Sequence, residues 1–326
     1  MFSNIDEGKL TMIPNRFGIT PLVFGVVFLF NIASVILSVH AAFEDQFIGA
    51  RAYGMAGAYT AISAESDGLL VNPASLSNIK SQQVSATMAM LHLGLSDDTR
   101  IAQHLIGYAN TYAKWGTIGL LWKRLNVSQL YSENQLVVGA SREYRMGSGQ
   151  NRNLSVGTSL KLLNWDTAPT FGMTGRILED LPGRSQFSLD LGLVFRSSLN
   201  IPIAVSVQNL NTPNLVTTLS PEIEELPLRT TLGIGILGQT STWGMDLVFN
   251  RYQIDVKVGL EYRIKGNKLL LRGGFRLENL AWGTNLAVGA GFKPRDRMRV
   301  DYGIVFPIGG IQDTYGSHRF SLVYHF

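Results

Sequence analysis

From Gln82 to the end of the chain, apolar and polar residues alternate with a period of two, in runs separated by turn residues. In the run Phe187–Phe195, the side chains of Phe187, Leu189, Leu191, Leu193 and Phe195 share one face, and Ser188, Asp190, Gly192 and Val194 share the other. Successive strand side chains point to opposite sides, so this is a strand with one apolar and one polar face. The same reading fits Trp243, Met245, Leu247 and Phe249 against Gly244, Asp246 and Asn250. It also fits Phe320, Leu322, Tyr324 and Phe326 against Arg319, Ser321 and His325.

Fourteen such strands are predicted, at 82–92, 103–112, 114–124, 134–145, 152–164, 185–197, 201–210, 228–238, 242–251, 256–264, 269–278, 283–292, 298–306 and 318–326. An even number of strands, each of about 9–11 residues, suits a barrel whose tilted strands cross a membrane. The connections alternate as well: taken alternately from the first they total 75 residues, and the interleaved set totals 22. Long outer loops and short periplasmic turns give this asymmetry. The predicted fold is all-β, a transmembrane antiparallel up-and-down β-barrel over 81–326 in a bacterial outer membrane, with both barrel ends of the chain on the periplasmic side. Lipid is then the first partner, and the terminal Phe326 has the form of the signal read by the barrel-assembly machinery.

Composition supports the membrane reading. Charged residues make up 16% of the chain, against roughly 25% in a soluble domain. The 34 glycines are spread throughout, which suits strands and tight turns. There is no cysteine, hence no disulfide frame, thiolate site or lipid-bearing cysteine. The net charge of +4 comes from singly scattered basic residues, so no nucleic-acid partner is predicted.

Residues Ile19–Val39 form an apolar run, preceded by Arg16 and closed by Val39-His40-Ala41. This is the pattern of a secretory signal peptide over 1–41, cut after Ala41; an uncleaved membrane anchor is the alternative, and translation from Met12 is a second possible start.

Residues 42–80 break the alternation and are read as an N-terminal plug. They contain Gly49-Ala-Arg-Ala-Tyr-Gly-Met-Ala-Gly57, then Glu65-Ser-Asp67, then Asn72-Pro-Ala-Ser-Leu76. This resembles the N-terminal signature of the FadL-like outer-membrane superfamily, in particular its PorV/PorQ-type branch. The matches include Gly49, Arg51, Gly54, Gly57, Asn72 and Pro73; Ala56 and Ser75 depart from the usual glycine. Gln208-Asn209-Leu210 and Leu226-Pro227-Leu228-Arg229 also look like family elements. The resemblance implies that 42–80 folds into the barrel. It implies either passage of a hydrophobic or amphipathic small molecule, or a non-conducting barrel that binds or shuttles a secreted protein.

Charges on the lipid face would cost about 2–4 kcal/mol each at mid-membrane, so strand charges are assigned to the lumen. Lys257, Arg272, Arg276 and Arg319 then either hold the carboxylate of an anionic amphiphile or pair across the wall and with Glu65 and Asp67. No enzyme is predicted. Gly233-Ile-Gly-Ile-Leu-Gly238 lies inside an alternating strand with no helix to receive a phosphate, the histidines lack metal-ligand spacing, and no cofactor is implied.

Overall fold

A computed structural model describes residues 43, 48–96, 98–128, 130–146, 152–167, 170–171, 177–179, 184–215, 225–251, 253–264, 266, 268–279, 283–308 and 314–326. The predicted signal peptide lies outside the described residues. Fourteen strands close a barrel in which each is antiparallel to its neighbours. They are β1 (Gln83–Leu91), β2 (Ile101–Tyr112), β3 (Gly116–Val127), β4 (Tyr131–Arg145), β5 (Asn153–Thr167), β6 (Arg184–Arg196) and β7 (Pro202–Gln208). The second half adds β8 (Arg229–Leu237), β9 (Ser241–Asn250), β10 (Gln253–Ile264), β11 (Leu269–Glu278), β12 (Gly283–Arg295), β13 (Met298–Pro307) and β14 (Ser317–His325). The seam pairs β1 with β14, from Gln83↔His325 to Met90↔His318.

The alternation becomes two surfaces. Outward residues line up across the ladder in apolar rows, such as Ile106↔Trp122↔Leu136↔Leu162↔Phe187. On the other side of the barrel runs Ile203↔Ile234↔Met245↔Val258↔Phe275↔Leu286. These side chains have no protein to pack against, and a lipid solvent supplies what they need; closure leaves no strand edge unpaired in it. Among the described residues no helix is long and apolar enough to cross a membrane. This is a barrel of the outer-membrane type.

The connections from Leu91 to Ile101, Thr167 to Arg184, Gln208 to Arg229 and Pro307 to Ser317 are the longest, and all lie at one end. That end is the outer one, and Gln83 and His325 lie at the periplasmic end. The first of the two longest loops carries a small ribbon, Thr170–Phe171 with Ile177–Glu179. The observed strands match the fourteen predicted ones, with one informative difference. β3 and β4 run further outward than expected, because Leu125, Asn126 and Val127 pair with Glu133, Ser132 and Tyr131. Backbone bonding continues past the apolar belt, where alternation no longer marks it.

Residues 48–80 lie against the inner faces of the strands. From Ile48 to Ser77 every residue except Arg51, Tyr53 and Ala64 is buried. The segment holds a single helical turn, α1 (Ala50–Tyr53), and two 3-10 turns, Ser66–Leu70 and Pro73–Asn78. Leu69, Leu70, Leu76 and Ile79 pack on Leu105, Leu121 and Val137 of β2–β4. Met55 and Tyr59 belong to a second cluster with Val194 and Ala204.

Candidate functional site

The wall receives this inner segment on glycine. Inward-facing Gly235, Gly244, Gly259 and Gly274 sit side by side across β8–β11. A Cβ on Gly244 would overlap the carbonyl of Ala58, and one on Gly259 the carbonyl of Met55. The opposite wall repeats the device: a Cβ on Gly139 would overlap Leu69, one on Gly157 the backbone of Ala74, and one on Gly192 the side-chain oxygen of Asn72. The glycines that composition assigned to strands and turns thus also form a seat. Their inward parity was readable in the sequence, but a residue without a side chain carries no polarity to draw attention to it.

The signature residues sit where the chain must turn within this confined space. The Gly49 N–H donates to Asp67 Oδ2 at 2.7 Å. Gly54 lies so close to Gly289 that a Cβ would come within 2.9 Å of its Cα. Gly57 has φ +76°, a left-handed conformation that other residues rarely adopt. Asn72 caps the second 3-10 turn by accepting from the Ala74 N–H at 3.0 Å, and Pro73, with no N–H to satisfy, takes the first position. The other end of the Asn72 amide donates to the carbonyls of Thr60 at 3.2 Å and Leu193 at 3.3 Å, tying segment to wall.

Toward the periplasmic end, six charged side chains close an alternating ring. Arg51 meets Glu261 through two bonds, 2.8 and 3.0 Å, and Glu65 at 3.0 Å. Glu65 meets Arg299 at 2.5 Å, Arg299 meets Asp301 at 2.6 Å, Asp301 meets Arg272 at 2.8 Å, and Arg272 returns to Glu261 at 2.9 Å. Three cations and three anions neutralise one another, which is what burial of ions requires. Burial alone would raise the Glu65 carboxyl, but Arg299 and Arg51 outweigh it and hold it at about 2. Asp67 is different: burial, then repulsion from Glu65, push it up to about 7 against the Gly49 N–H. Arg299 was missed in the sequence, although it shares the inward parity of Asp301 two residues later.

The four cations read as either a carboxylate-holding patch or pairing partners do not stand together. Arg272 belongs to the ring. Lys257, Arg276 and Arg319 instead line a cavity of about 170 Å³ toward the outer end, together with Ile48, Tyr53, Leu91, Val305 and Pro307. They are engaged there: Arg276 pairs with Asp255 at 3.2 Å and Glu278 at 3.1 Å. Arg319 donates to the Ile48 carbonyl at 2.9 Å, and its guanidinium lies 3.7 Å from the centre of the Tyr53 ring. The inner segment forms the floor of this cavity. Of the other two family-like elements, Gln208 donates to the Leu70 carbonyl at 2.6 Å. Asn209 accepts from Lys161 at 3.2 Å and donates to the Pro227 carbonyl at 3.0 Å, so both elements lock the β7–β8 loop down.

No protein-family model matches the chain, and no curated protein sequence does. Solved structures do. The Pseudomonas putida toluene transporter TodX superposes with a TM-score of 0.56 over 87% of this chain and 98% of its own, at 13% identity. A Pseudomonas aeruginosa FadL homologue gives 0.57 over 86% and 98%, at 10% identity. The CymD monoaromatic hydrocarbon channel gives 0.55 over 87% and 99%, at 12% identity. The chain therefore has the fold of the FadL-type outer-membrane channels.

Proposed function

We propose that this barrel passes a small hydrophobic or amphipathic molecule across the outer membrane, loading it into the cavity at the outer end. The observation that carries the reading is the mixed lining of that cavity. Ile48, Tyr53, Leu91, Val305 and Pro307 offer an apolar wall, and Lys257, Arg276 and Arg319 stand at its polar side. A few placed polar groups in an apolar pocket are the usual make-up of a small-molecule site. The fold it shares with a toluene transporter and monoaromatic hydrocarbon channels points the same way.

The test is uptake by cells carrying the barrel, measured with radiolabelled toluene and with a radiolabelled long-chain fatty acid. Faster entry of either supports passage, and K257A/R276A should slow only the fatty acid. Entry of both at the rate of barrel-free cells overturns the proposal. A specific observation favours a second reading. A segment seated on glycine and closed in by buried ion pairs suits a barrel that does not conduct and serves to dock a secreted protein. Recovery of a stoichiometric protein partner from detergent-solubilised membranes, with no uptake, would select it.

A further inference from the structure

The lipid-facing wall changes character at the periplasmic margin of β2–β4. Outward on β4 stand Leu136, Val138, Ala140, Arg142 and Tyr144, so a guanidinium follows directly on the apolar belt. Its cross-strand row is apolar: Arg142 pairs with Val156, and Val156 with Leu193, both exposed outward side chains. An outward charge costs most at mid-membrane and little at the interface, so this row marks the headgroup level. The aromatic neighbours agree. Tyr112, Trp115 and Tyr144 are 42%, 74% and 49% exposed, and amphipathic rings of this kind settle at headgroup depth.

The short β2–β3 turn brings a second base to the same place. Gly116 opens β3, and a Cβ on it would lie 3.2 Å from the Cα of Arg142. Lys114 and Trp115, both exposed, precede it in the turn, and Tyr112 pairs with Gly116. The Arg142 guanidinium lies 5.6 Å from the centre of the Tyr144 ring. Among the described residues neither Arg142 nor Lys114 makes an ion pair. Glu143, next to Arg142 in the chain, points to the other face of β4, where it meets Lys80 at 3.3 Å and accepts from Asn153 at 2.7 Å. Two bases and three rings are thus left at the lipid boundary with no acid of their own. The two ends of the barrel differ in the same sense. Among the described residues, the connections at this end carry Lys114, Arg152, Lys268 and Arg297 against Asp296. The outer connections carry Asp98, Glu179 and Glu225 against Arg100 and Arg251.

We propose that this margin binds the headgroup of an anionic phospholipid in the leaflet at the periplasmic end. Arg142 and Lys114 hold the phosphate, and the rings of Trp115 and Tyr144 lie against the glycerol and the upper acyl chains. A guanidinium fork matches two phosphate oxygens at once, and the ammonium adds a point charge. A zwitterionic headgroup brings a cation of its own into the cluster and loses most of that attraction, which selects the anionic lipid. The occupant is a lipid and not a soluble phosphate, because the bases stand on the outward face where the apolar row of Ala140, Val156 and Leu193 receives acyl chains. This inference does not depend on what, if anything, the barrel transports.

The experiment is native mass spectrometry of the folded full-length barrel, purified in a non-ionic detergent and titrated with dioleoyl phosphatidylglycerol or dioleoyl phosphatidylcholine. Each base beside an anionic headgroup is worth about a factor of five, so the first phosphatidylglycerol should bind at least about five-fold more tightly than the first phosphatidylcholine. K114Q/R142Q should bring the two affinities to within about two-fold of each other. R100Q, which removes a cation from an outer connection, should leave the preference intact. Equal binding of the two lipids by the wild type overturns the proposal, as does a preference that survives in K114Q/R142Q. Displacement of phosphatidylglycerol by inorganic phosphate would make this a site for soluble anions and also overturn it. If K114Q/R142Q does not assemble, R142K must keep the preference and K114Q alone must weaken it; failure of either counts against the site. An acidic periplasmic protein held by the wild type but lost from K114Q/R142Q, with no lipid preference, would assign the margin to a protein instead.

Discussion

Arg51 of the inner segment and Glu261 of β10 face each other in a two-bond fork, with nitrogen–oxygen distances of 2.8 and 3.0 Å. The sequence separates them by 210 positions, and the fork joins the segment to the wall. Removing one member of a buried pair leaves the other charge uncompensated, at a cost of about 3–5 kcal/mol. E261Q should therefore lower the free energy of urea unfolding by about 3 kcal/mol in detergent or liposomes. Glu143, paired with the exposed Lys80 at 3.3 Å, is the control. E143Q should change stability by less than about 1 kcal/mol, as exposed pairs do. Equal effects of the two substitutions would show that the fork is not a fastening.

Gly273 and Gly274 are neighbours on β11 that face opposite ways. A Cβ on Gly273 would have its nearest neighbour at 4.0 Å, whereas one on Gly274 would come within 2.7 Å of the Met55 backbone. G273A is expected to assemble and melt like wild type on unboiled gels. G274A should overpack the seat and lose about 1–3 kcal/mol, seen as a lower temperature for loss of the fast-migrating form. Equal behaviour of the two variants would mean that the glycine seat is not close-fitting.

The two acids of the inner segment should give opposite pH dependences. Glu65 is held at about 2, below its ordinary 4.5, so its contribution is present above pH about 4.5 and lost as pH falls toward 2. Asp67 is raised from 3.8 to about 7, so the folded state holds a proton that the unfolded chain has released. Stability from this group is full below pH about 4 and declines as pH rises through 7. D67N should abolish that decline, leaving the variant gaining on wild type between pH 4 and 8 in urea titrations. A constant difference across that range would contradict the assignment.

Phe326 closes the chain beside the seam, with its N–H donating to the Gln82 carbonyl at 3.0 Å and its ring edge-on to Tyr324 at 5.0 Å. If it is also the residue that the assembly machinery reads, deleting it should cut the folded fraction in the outer membrane several-fold. The stability of the molecules that do fold should change little. Normal levels of the folded deletion variant would leave Phe326 with no part in assembly.

The strands were legible because lipid outside and a largely polar interior impose alternation, which Phe187–Phe195 shows with the one exception of Val194, an apolar residue turned inward onto the inner segment. The height of a residue along the barrel axis was not. It depends on the stagger between neighbouring strands, which no single strand records. Arg272 and Arg276, four residues apart on one strand, are already separated by about 13 Å in the sequence; what stagger decides is which residues of other strands join each, Asp301 with the first in the ring and Arg319 with the second at the cavity. The signature glycines Gly54 and Gly57 stand out in the sequence through the motif that holds them. Their counterparts in the wall, such as Gly259 and Gly289, became visible only with the segment in place.

The glycine seat has a consequence for how the molecule comes into being. The Ala50 N–H donates to Ser321 Oγ at 2.7 Å across 271 positions, and the same hydroxyl bonds Thr87 across the seam at 2.7 Å. A segment fitted this closely has no path into a finished cylinder. The segment from Ile48 onward is therefore expected to be folded back before the last strand arrives and the ladder closes around it. Contacts of such long sequence separation make for slow folding. Cysteines at 50 and 321 should accordingly crosslink no later than a pair placed at 86 and 322 during refolding. A seam that forms first would mean that the wall opens again to admit its own beginning.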